Sequence, residues 1–578
     1  MHPFTGKWGF AGTLVFGGAM IKTNLTFKLM STGVLALLLS ACSQEQPASE
    51  TAPVVEAATD DRPNILLIVA DDMGYADLGF YGSEIPTPNI DALAANGMLL
   101  TDFYSSLTCG PTRSMLMSGM DNHMAGVGVQ SAPRLEVHMN QPNYLGHLSF
   151  RVASLAELMT DAGYNTYMTG KWHLGDDVET GPHARGFKKN FISLDGAAHL
   201  GPWDWRGPQN ANYRDGDELV QVDDDWYTTR DYTKKMIQYI DEDRNEDKPF
   251  FAYLAYTAPH WPLQAPKEVI ESFNGVYDAG YEAIYMNRFN SMKALGHIPE
   301  DAEPMPMDVF SPRWDDMSAD DQAASARRMQ VFAAMVSELD KYVGEVIAYL
   351  KEIGEFDNTF IMFMSDNGAE SSRLDLTERY AFVNEPPYDQ STDNLGSPTS
   401  YVMYGKNWAT VSETRFRRHK ATAFEGGIHV PAFVHYPSMV EPGTRNDGFG
   451  TVMDVLPTFL ALAGTVHPAP MFQGRDVLPP MGRSLLPMLT GETAEVHPAD
   501  GYTGWELNGH RGVRQGDWKI VWDLALPEGE RRWALFNLAD DPNEQLDLAV
   551  ERPDKLNEMI GYWKQYEADN GVIYAFPE

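Results

Sequence analysis

Asn64-Ile65-Leu66-Leu67-Ile68-Val69-Ala70 breaks off at Asp71-Asp72-Met73-Gly74. An apolar run with no polar alternation predicts a strand buried on both faces, as in a parallel sheet. Two acids directly after it mark the place where the chain leaves the core. The same grammar recurs along the chain. Thr359 to Met364 ends at Ser365-Asp366-Asn367-Gly368, Thr166 to Thr169 ends at Gly170-Lys171-Trp172-His173, and Phe250 to Ala255 leads to Pro259-His260-Trp261. Between these runs lie helical stretches: Asn89 to Asn96 behind Pro88 and before Gly97, Ala153 to Ala162, and a long one from Ala323 to Ile353 with Met329, Phe332, Val336, Leu339, Val343, Ile347 and Leu350 on one stripe. Alternating strands and helices predict an α/β fold, a large central mixed and mostly parallel sheet flanked by helices. Its ligands gather beyond the carboxyl ends of the strands, where the polar clusters converge.

Past about residue 440 the pattern changes. Tyr502 to Leu507, Arg511 to Arg514, Trp518 to Trp522 and Trp533 to Asn537 read as short antiparallel strands, and Pro553 to Ala568 as a closing helix with Leu556, Met559, Ile560 and Trp563 on one face. The expected organisation is a signal over 1–41, an acidic tether over 42–62, a catalytic domain over 63–440 and a C-terminal α+β subdomain with an antiparallel sheet over 441–578. Residues 268–320 and 371–415 show no clean periodicity and read as long loops, the kind that cover sites.

The 578-residue chain carries a formal charge of −37, and removing 1–41, which holds Lys7, Lys22 and Lys28 and no acid, moves it to −40. That field argues against nucleic acid as a partner and, more weakly, against a long polysulfated polymer. Lys22 and Lys28 precede the apolar run Leu29 to Leu39, the pattern of an export signal too short to span a bilayer; Met20 gives a more usual signal length than Met1. There are only two cysteines, Cys42 and Cys109. Leu39-Ser40-Ala41-Cys42 resembles the lipobox of bacterial lipoproteins, which implies a membrane anchor through an acylated Cys42 facing the periplasm or cell surface, with Ser43 favouring the outer membrane. The stretch Ser43 to Arg62 has little to bury and reads as a disordered tether. Such a chain reaches roughly 25 Å.

Asp71, Asp72, Asp366 and Asn367 offer hard oxygen ligands from two strand ends, a set that suits Ca²⁺ or Mg²⁺ better than zinc. Turn-forming Asp and Asn residues are the competing reading. The run Cys109-Gly110-Pro111-Thr112-Arg113-Ser114-Met115-Leu116-Met117-Ser118-Gly119 resembles the sulfatase motif, Cys-x-Pro-Ser/Thr-Arg followed by Leu and Gly. The resemblance extends through Arg62-Pro63-Asn64, Gly170-Lys171-Trp172-His173, Ala258-Pro259-His260-Trp261-Pro262-Leu263, Asp366-Asn367-Gly368, Lys420 before Glu425-Gly426-Gly427, and Trp533 to Asp541-Pro542. It is most similar to the soluble bacterial arylsulfatases, down to Gly504-Trp505-Glu506-Leu507 and Arg514-Gln515-Gly516-Asp517-Trp518-Lys519.

The resemblance implies an alkaline-phosphatase-like fold and hydrolysis of a small sulfate ester to an alcohol or phenol and inorganic sulfate. It further implies that a formylglycine-generating enzyme converts Cys109 to formylglycine, whose hydrate is the nucleophile and a ligand of the cation beside Asp71, Asp72, Asp366 and Asn367. Arg113 would hold the hydrated side chain, Lys171 and Lys420 would neutralise sulfate, His173 would take the proton from the diol, and His260 would lie near the leaving oxygen and protonate it as a general acid. Pro111 as first helical residue would put the modified side chain at a helix N-terminus. If the strand continued past Lys171, Lys171 and His173 would share a face, with Trp172 turned away. Trp172, Trp261 and Trp505 fit either an aryl pocket or core packing. His123, His183, His199 and His419 read as hydrogen-bonded loop residues, and His429 stands where relatives often have Arg. Rival readings are a carbohydrate sulfatase, a phosphonate monoester or phosphodiester hydrolase of the same superfamily, and a silent binder of sulfated ligands. The last would need a lost catalytic residue, and none is lost.

Overall fold

The computed structural model describes residues 61–130, 135–194, 198–204, 207–208, 212–522, 524, 526 and 528–574. The signal, Cys42 and nearly all of the tether lie outside them. Ten strands form the large sheet: β1 (Asn64–Ala70), β2 (Met98–Leu100), β3 (Asn165–Lys171), β4 (Lys189–Leu194), β5 (Asn212–Asp215), β6 (Glu218–Val220), β7 (Phe250–Ala255), β8 (Thr359–Ser365), β9 (Ala432–His435) and β10 (Thr444–Asn446). Their order is β10-β2-β9-β8-β1-β7-β3-β4-β5-β6. The central five, β8-β1-β7-β3-β4, are parallel, and antiparallel pairs appear only toward the two edges. The acids after β1 and β8, Lys171 on β3 and the segment after β7 therefore emerge at one edge of the sheet.

Alternation along β1 assigns its two faces. Leu66, Ile68 and Ala70 pack with α1 (Pro88–Ala95), α4 (Thr228–Asp243), α5 (Tyr281–Ala294) and α6 (Ala319–Glu352). Ile65, Leu67 and Val69 pack with α2 (Cys109–Ser118), α3 (Leu155–Asp161) and α8 (Val455–Leu462). Burial on both faces explains why the strand sequences are apolar throughout. A short α7 (Glu425–Ile428) lies between β8 and β9. The second sheet is an antiparallel meander of β11 (Thr503–Leu507), β12 (His510–Gln515), β13 (Trp518–Trp522) and β14 (Trp533–Asn537), followed by α9 (Pro553–Asn570). Val513, Ile520 and Leu535 pack with Met559, Trp563 and Tyr566 of α9, while Trp505, Leu507, Val521 and Phe536 pack with Tyr104, Leu107, Ala423, Phe424 and Ile428.

Several expectations need correction. The stretch 268–320 is not a loop: α5 buries Tyr281, Ile284, Tyr285, Arg288, Phe289 and Met292. Its stripe is hidden because a buried arginine occupies it, neutralised by Asp77 at 2.7 Å and Glu84 at 2.8 Å. The stretch 371–415 likewise contains a helix over Lys406–Ser412. β10 lies beyond residue 440 yet pairs with β2, so the large sheet takes residues from both sides of that boundary. Pro111 is the third helical residue and Cys109 the first, with Thr108 as N-cap. Proline is tolerated there because the first turn has no intrahelical acceptor for its missing N–H.

Candidate active site

Cys109 opens α2 and is fully buried. Its Sγ lies 3.3 Å from Asp71 Oδ1, 3.5 Å from Lys420 Nζ and 3.9 Å from Asp72 Oδ1. Lys171 Nζ bonds Asp71 Oδ2 at 2.6 Å, and Lys420 Nζ bonds Asp72 Oδ1 at 2.5 Å with Glu370 at 3.5 Å. Arg113 runs beneath this layer: Nη2 and Nε pair with Asp366 Oδ2 at 2.7 and 2.9 Å, and Nη1 donates to the Lys171 carbonyl at 2.6 Å and to Tyr253 Oη at 3.3 Å. Asn367 Nδ2 donates to Asp72 Oδ1 at 2.7 Å. All the expected site residues except His173 are joined by these contacts or by His260 Nε2, which stands 3.5 Å from Asp72 Oδ2.

His173 is placed differently from expectation. β3 stops at Lys171, and His173 has φ of 58°, so the chain turns instead of continuing the alternation. Its Nδ1 is buried without a hydrogen-bond partner. Burial, with Lys171 and Arg113 nearby, holds its pKa well below the usual histidine value. His260 is lowered in the same way, by burial and then by Lys171. Its Nδ1 meets the Trp261 carbonyl, which leaves Nε2 facing the acids.

The acids show what the site lacks. Burial pushes Asp72 up to about 7 and raises Asp366, with neighbouring Asp71 adding to both. Asp71 is driven well below the carboxylate range despite its burial, because Lys171, His260, Arg113 and Lys420 surround it. Asp72 Oδ2 and Asn367 Oδ1 are buried with no hydrogen-bond partner. One ligand atom each from Asp71, Asp72, Cys109 and His260 lie within 4.8 Å of one another. Crowded buried carboxylates and orphaned oxygens are what a divalent cation relieves, so the residues fit one, which Asp71, Asp72, Asp366 and Asn367 would hold through their oxygens. The Cys109 thiol is pushed well above its ordinary pKa by burial and by Asp366 and Asp71, which makes it a poor nucleophile as it stands.

Of the three tryptophans only Trp261 lies beside the site, its ring stacked on His260 at 4.9 Å. Tyr401 at 5.8 Å and Tyr380 at 6.2 Å continue an aromatic array from it. Trp172 and Trp505 are core residues, with their Nε1 groups donating to the Thr180 and Ser105 carbonyls. His199 holds the His260 carbonyl at 2.8 Å and Thr228 at 3.0 Å, so a residue read as a loop histidine supports the site. His429 is buried between Glu425 and the Thr101 carbonyl, away from Cys109. Sequence reading missed Glu370 and Tyr253. Glu370 follows Asp366 by one short turn and could have been found there; Tyr253 lies mid-strand and carries no signal.

Comparison with known proteins places this geometry. Residues 63–465 match the Sulfatase family model, and residues 416–560 match that of the C-terminal part of N-sulphoglucosamine sulphohydrolase. An uncharacterized sulfatase of Schizosaccharomyces pombe is 42% identical over 535 residues, covering 90% of this chain and 96% of the relative. An arylsulfatase of Klebsiella aerogenes is 37% identical over 439 residues, covering 74% and 92%. The crystal structure of Ps i-CgsB in complex with k-i-k-neocarrahexaose superposes with a TM-score of 0.64 at 26% identity, covering 88% of this chain and 93% of that one. The chain belongs to the sulfatase family and is a sulfuric ester hydrolase, a family that generally uses formylglycine and a divalent metal.

Proposed function

We propose that this sulfatase is an arylsulfatase that cleaves the sulfate ester of a phenol, with Cys109 converted to formylglycine and Ca²⁺ or Mg²⁺ held by Asp71, Asp72, Asp366 and Asn367. The observation that carries the aryl reading is His260 against Trp261. Burial, with Lys171 nearby, holds the His260 pKa well below the usual histidine value, and its one N–H is committed at Nδ1 to the Trp261 carbonyl, so Nε2 has no proton to give to the departing oxygen. A phenol, with a pKa of about 10, departs without a proton far more readily than an alcohol, whose oxyanion is a much stronger base. The ring array of Trp261, Tyr401 and Tyr380 gives a flat leaving group a surface to lie on.

Lys171 and Lys420, anchored on Asp71 and Asp72, bring two positive charges to the sulfate and meet the negative charge that builds as the ester bond breaks. Arg113 fixes Asp366 and the end of β3, so it orients Lys171 through the backbone. Neutral His173 is available as a proton acceptor beside Lys171. When bound, the cation supplies further positive charge; formylglycine supplies a hydrated aldehyde, a nucleophile that resets by returning to the aldehyde.

A carbohydrate sulfatase is the second reading, favoured by the likeness to Ps i-CgsB and to mammalian N-acetylgalactosamine-6-sulfatases, the human one being 28% identical over 549 residues. Protein from a host with the converting enzyme, its formyl residue confirmed by mass spectrometry, should release nitrophenol from nitrophenyl sulfate in a metal-dependent way and faster than it desulfates monosaccharides. No such release would overturn the aryl reading, and faster sugar desulfation would replace it. Matched phosphate esters exclude or install the phosphodiesterase alternative.

The export signal and lipobox support a further proposal, a periplasmic or surface location with Cys42 lipidated. Cys42→Ala should move the protein from the membrane to the soluble fraction; continued attachment would overturn it.

A further inference from the structure

Lys420 does not come from the end of a strand. Its turn holds Arg415, Arg418 and Ala421 at φ of 80°, 66° and 67°, a conformation that side chains with a Cβ disfavour. Such a turn persists only when its surroundings over-determine it. Inside the large body it is tied by Lys420 N to the Ala369 carbonyl at 3.1 Å and by Ala421 N to the Leu107 carbonyl at 2.8 Å, beside the Cys109 segment. Further ties meet at Glu425, close after Lys420 in the chain, where Lys519 of the second sheet and Glu544 beyond it join Tyr104 and His429. Glu425 accepts from Lys519 Nζ at 2.6 Å, Tyr104 Oη at 2.7 Å and His429 Nδ1 at 2.9 Å. Lys519 also pairs with Glu544 at 2.9 Å, and Glu544 accepts from Glu425 N and, through its carbonyl, from Arg417, both at 2.7 Å.

The placement of Lys519 is unusual for a strand. It shares the inward face of β13 with Val521, where the apolar cluster against Tyr104, Leu107 and Phe424 asks for an apolar residue. It is fully buried, as is Glu544. A buried ion cluster holds two layers together no better than apolar packing would, so adhesion does not explain it. Directional bonds to one short segment do. The approach is also close: a Cβ on Gly512 would lie 2.8 Å from Ala423 Cβ.

We propose that the second sheet is a component of the catalytic centre, with Lys519, through Glu425 and Glu544, acting as a positioning residue that sets Lys420 between Asp72 and Cys109. The inference rests on the reading of Lys420 as a sulfate-binding group. The test is Lys519→Met/Glu544→Gln, which removes one charge of each sign, with formylglycine content checked by mass spectrometry. Its kcat/KM on nitrophenyl sulfate should fall about 30-fold in the wild-type background and under about 2-fold in Lys420→Ala. The crystal structure of the variant should show Lys420 Nζ displaced from Asp72. Equal loss in both backgrounds, no loss, or an unmoved Lys420 overturns the proposal. If the double variant does not fold, Lys519→Arg, which keeps the charge but changes its reach, should lower kcat/KM about 5-fold with the same dependence on Lys420. Full activity in Lys420→Ala would instead remove the underlying reading of Lys420.

Discussion

The site has two halves that are held in place by different means. Asp71, Lys171 and Asp366 come from consecutive edges of parallel strands, where the register of β8, β1, β7 and β3 fixes each Cα. Lys420 comes from a turn with three non-glycine residues in left-handed backbone, tied down by a second sheet. A strand end inherits its position from hydrogen bonding along the whole sheet, so it tolerates distant change. A strained turn inherits its position from a few side-chain bonds, so it depends on residues far away in sequence.

That contrast can be broken most severely on the strand side. Arg113→Met removes the guanidinium that holds buried Asp366 and the end of β3, and should cost at least about 1000-fold in kcat/KM and about 3–5 kcal/mol of stability, read by steady-state kinetics and denaturant unfolding. Next comes the cation. In chelated protein Asp72, raised to about 7, and Asp366, also raised, bind protons more tightly folded than unfolded. The Asp72 contribution is therefore present below pH 4 and lost as pH rises through about 7, and Asp366 acts in the same direction. Unfolding in EDTA should show stability falling by about 4 kcal/mol over that window, and Ca²⁺ should flatten the slope.

The turn side is probed through the docking of the second sheet. His123 bridges Asp121 and Glu506 of β11, both at 2.9 Å, and these bonds outweigh burial to hold its pKa at about 9. Its contribution is complete below pH 6.5 and lost as pH rises through about 9, some 3 kcal/mol in size. Thermal unfolding from pH 7 to 9.5 should show that decline in the wild type and a flatter profile in His123→Gln. The mildest change is Ala421→Gly. Relief of the left-handed backbone should raise stability by about 1 kcal/mol while kcat/KM falls a few-fold, because the relaxed turn holds Lys420 less firmly. Unchanged activity would show that the turn needs no strain to place its lysine.

Legibility followed the same division. The acids after β1 and β8 stood out because a buried strand is apolar to its last residue and the interruption is abrupt. The meander of β11 to β14 and the helix after it were readable from turns and periodicity. Helix α5 was not, since Arg288 interrupts its stripe and pairing with Asp77 and Glu84, distant in sequence, makes that arginine acceptable in a core. His173 was expected to share a face with Lys171, but strand alternation ends where the ladder ends. His199 and Lys519 gave no sign of their roles, because each acts on a residue that the fold alone brings near.

The sequence by itself determined the α/β layering, the strand ends that carry charge and the presence of a sulfatase motif around Cys109, because these depend on neighbours in the chain: runs of apolar residues, their breaks and a short contiguous pattern. The tertiary structure decided which of those charges meet, that Arg113 serves Asp366 and the end of β3, that Trp261 alone of three candidate tryptophans borders the site, and that the second sheet reaches the turn bearing Lys420. Such contacts join residues separated by most of the chain, and their energies reside in burial and distance, which no local pattern records.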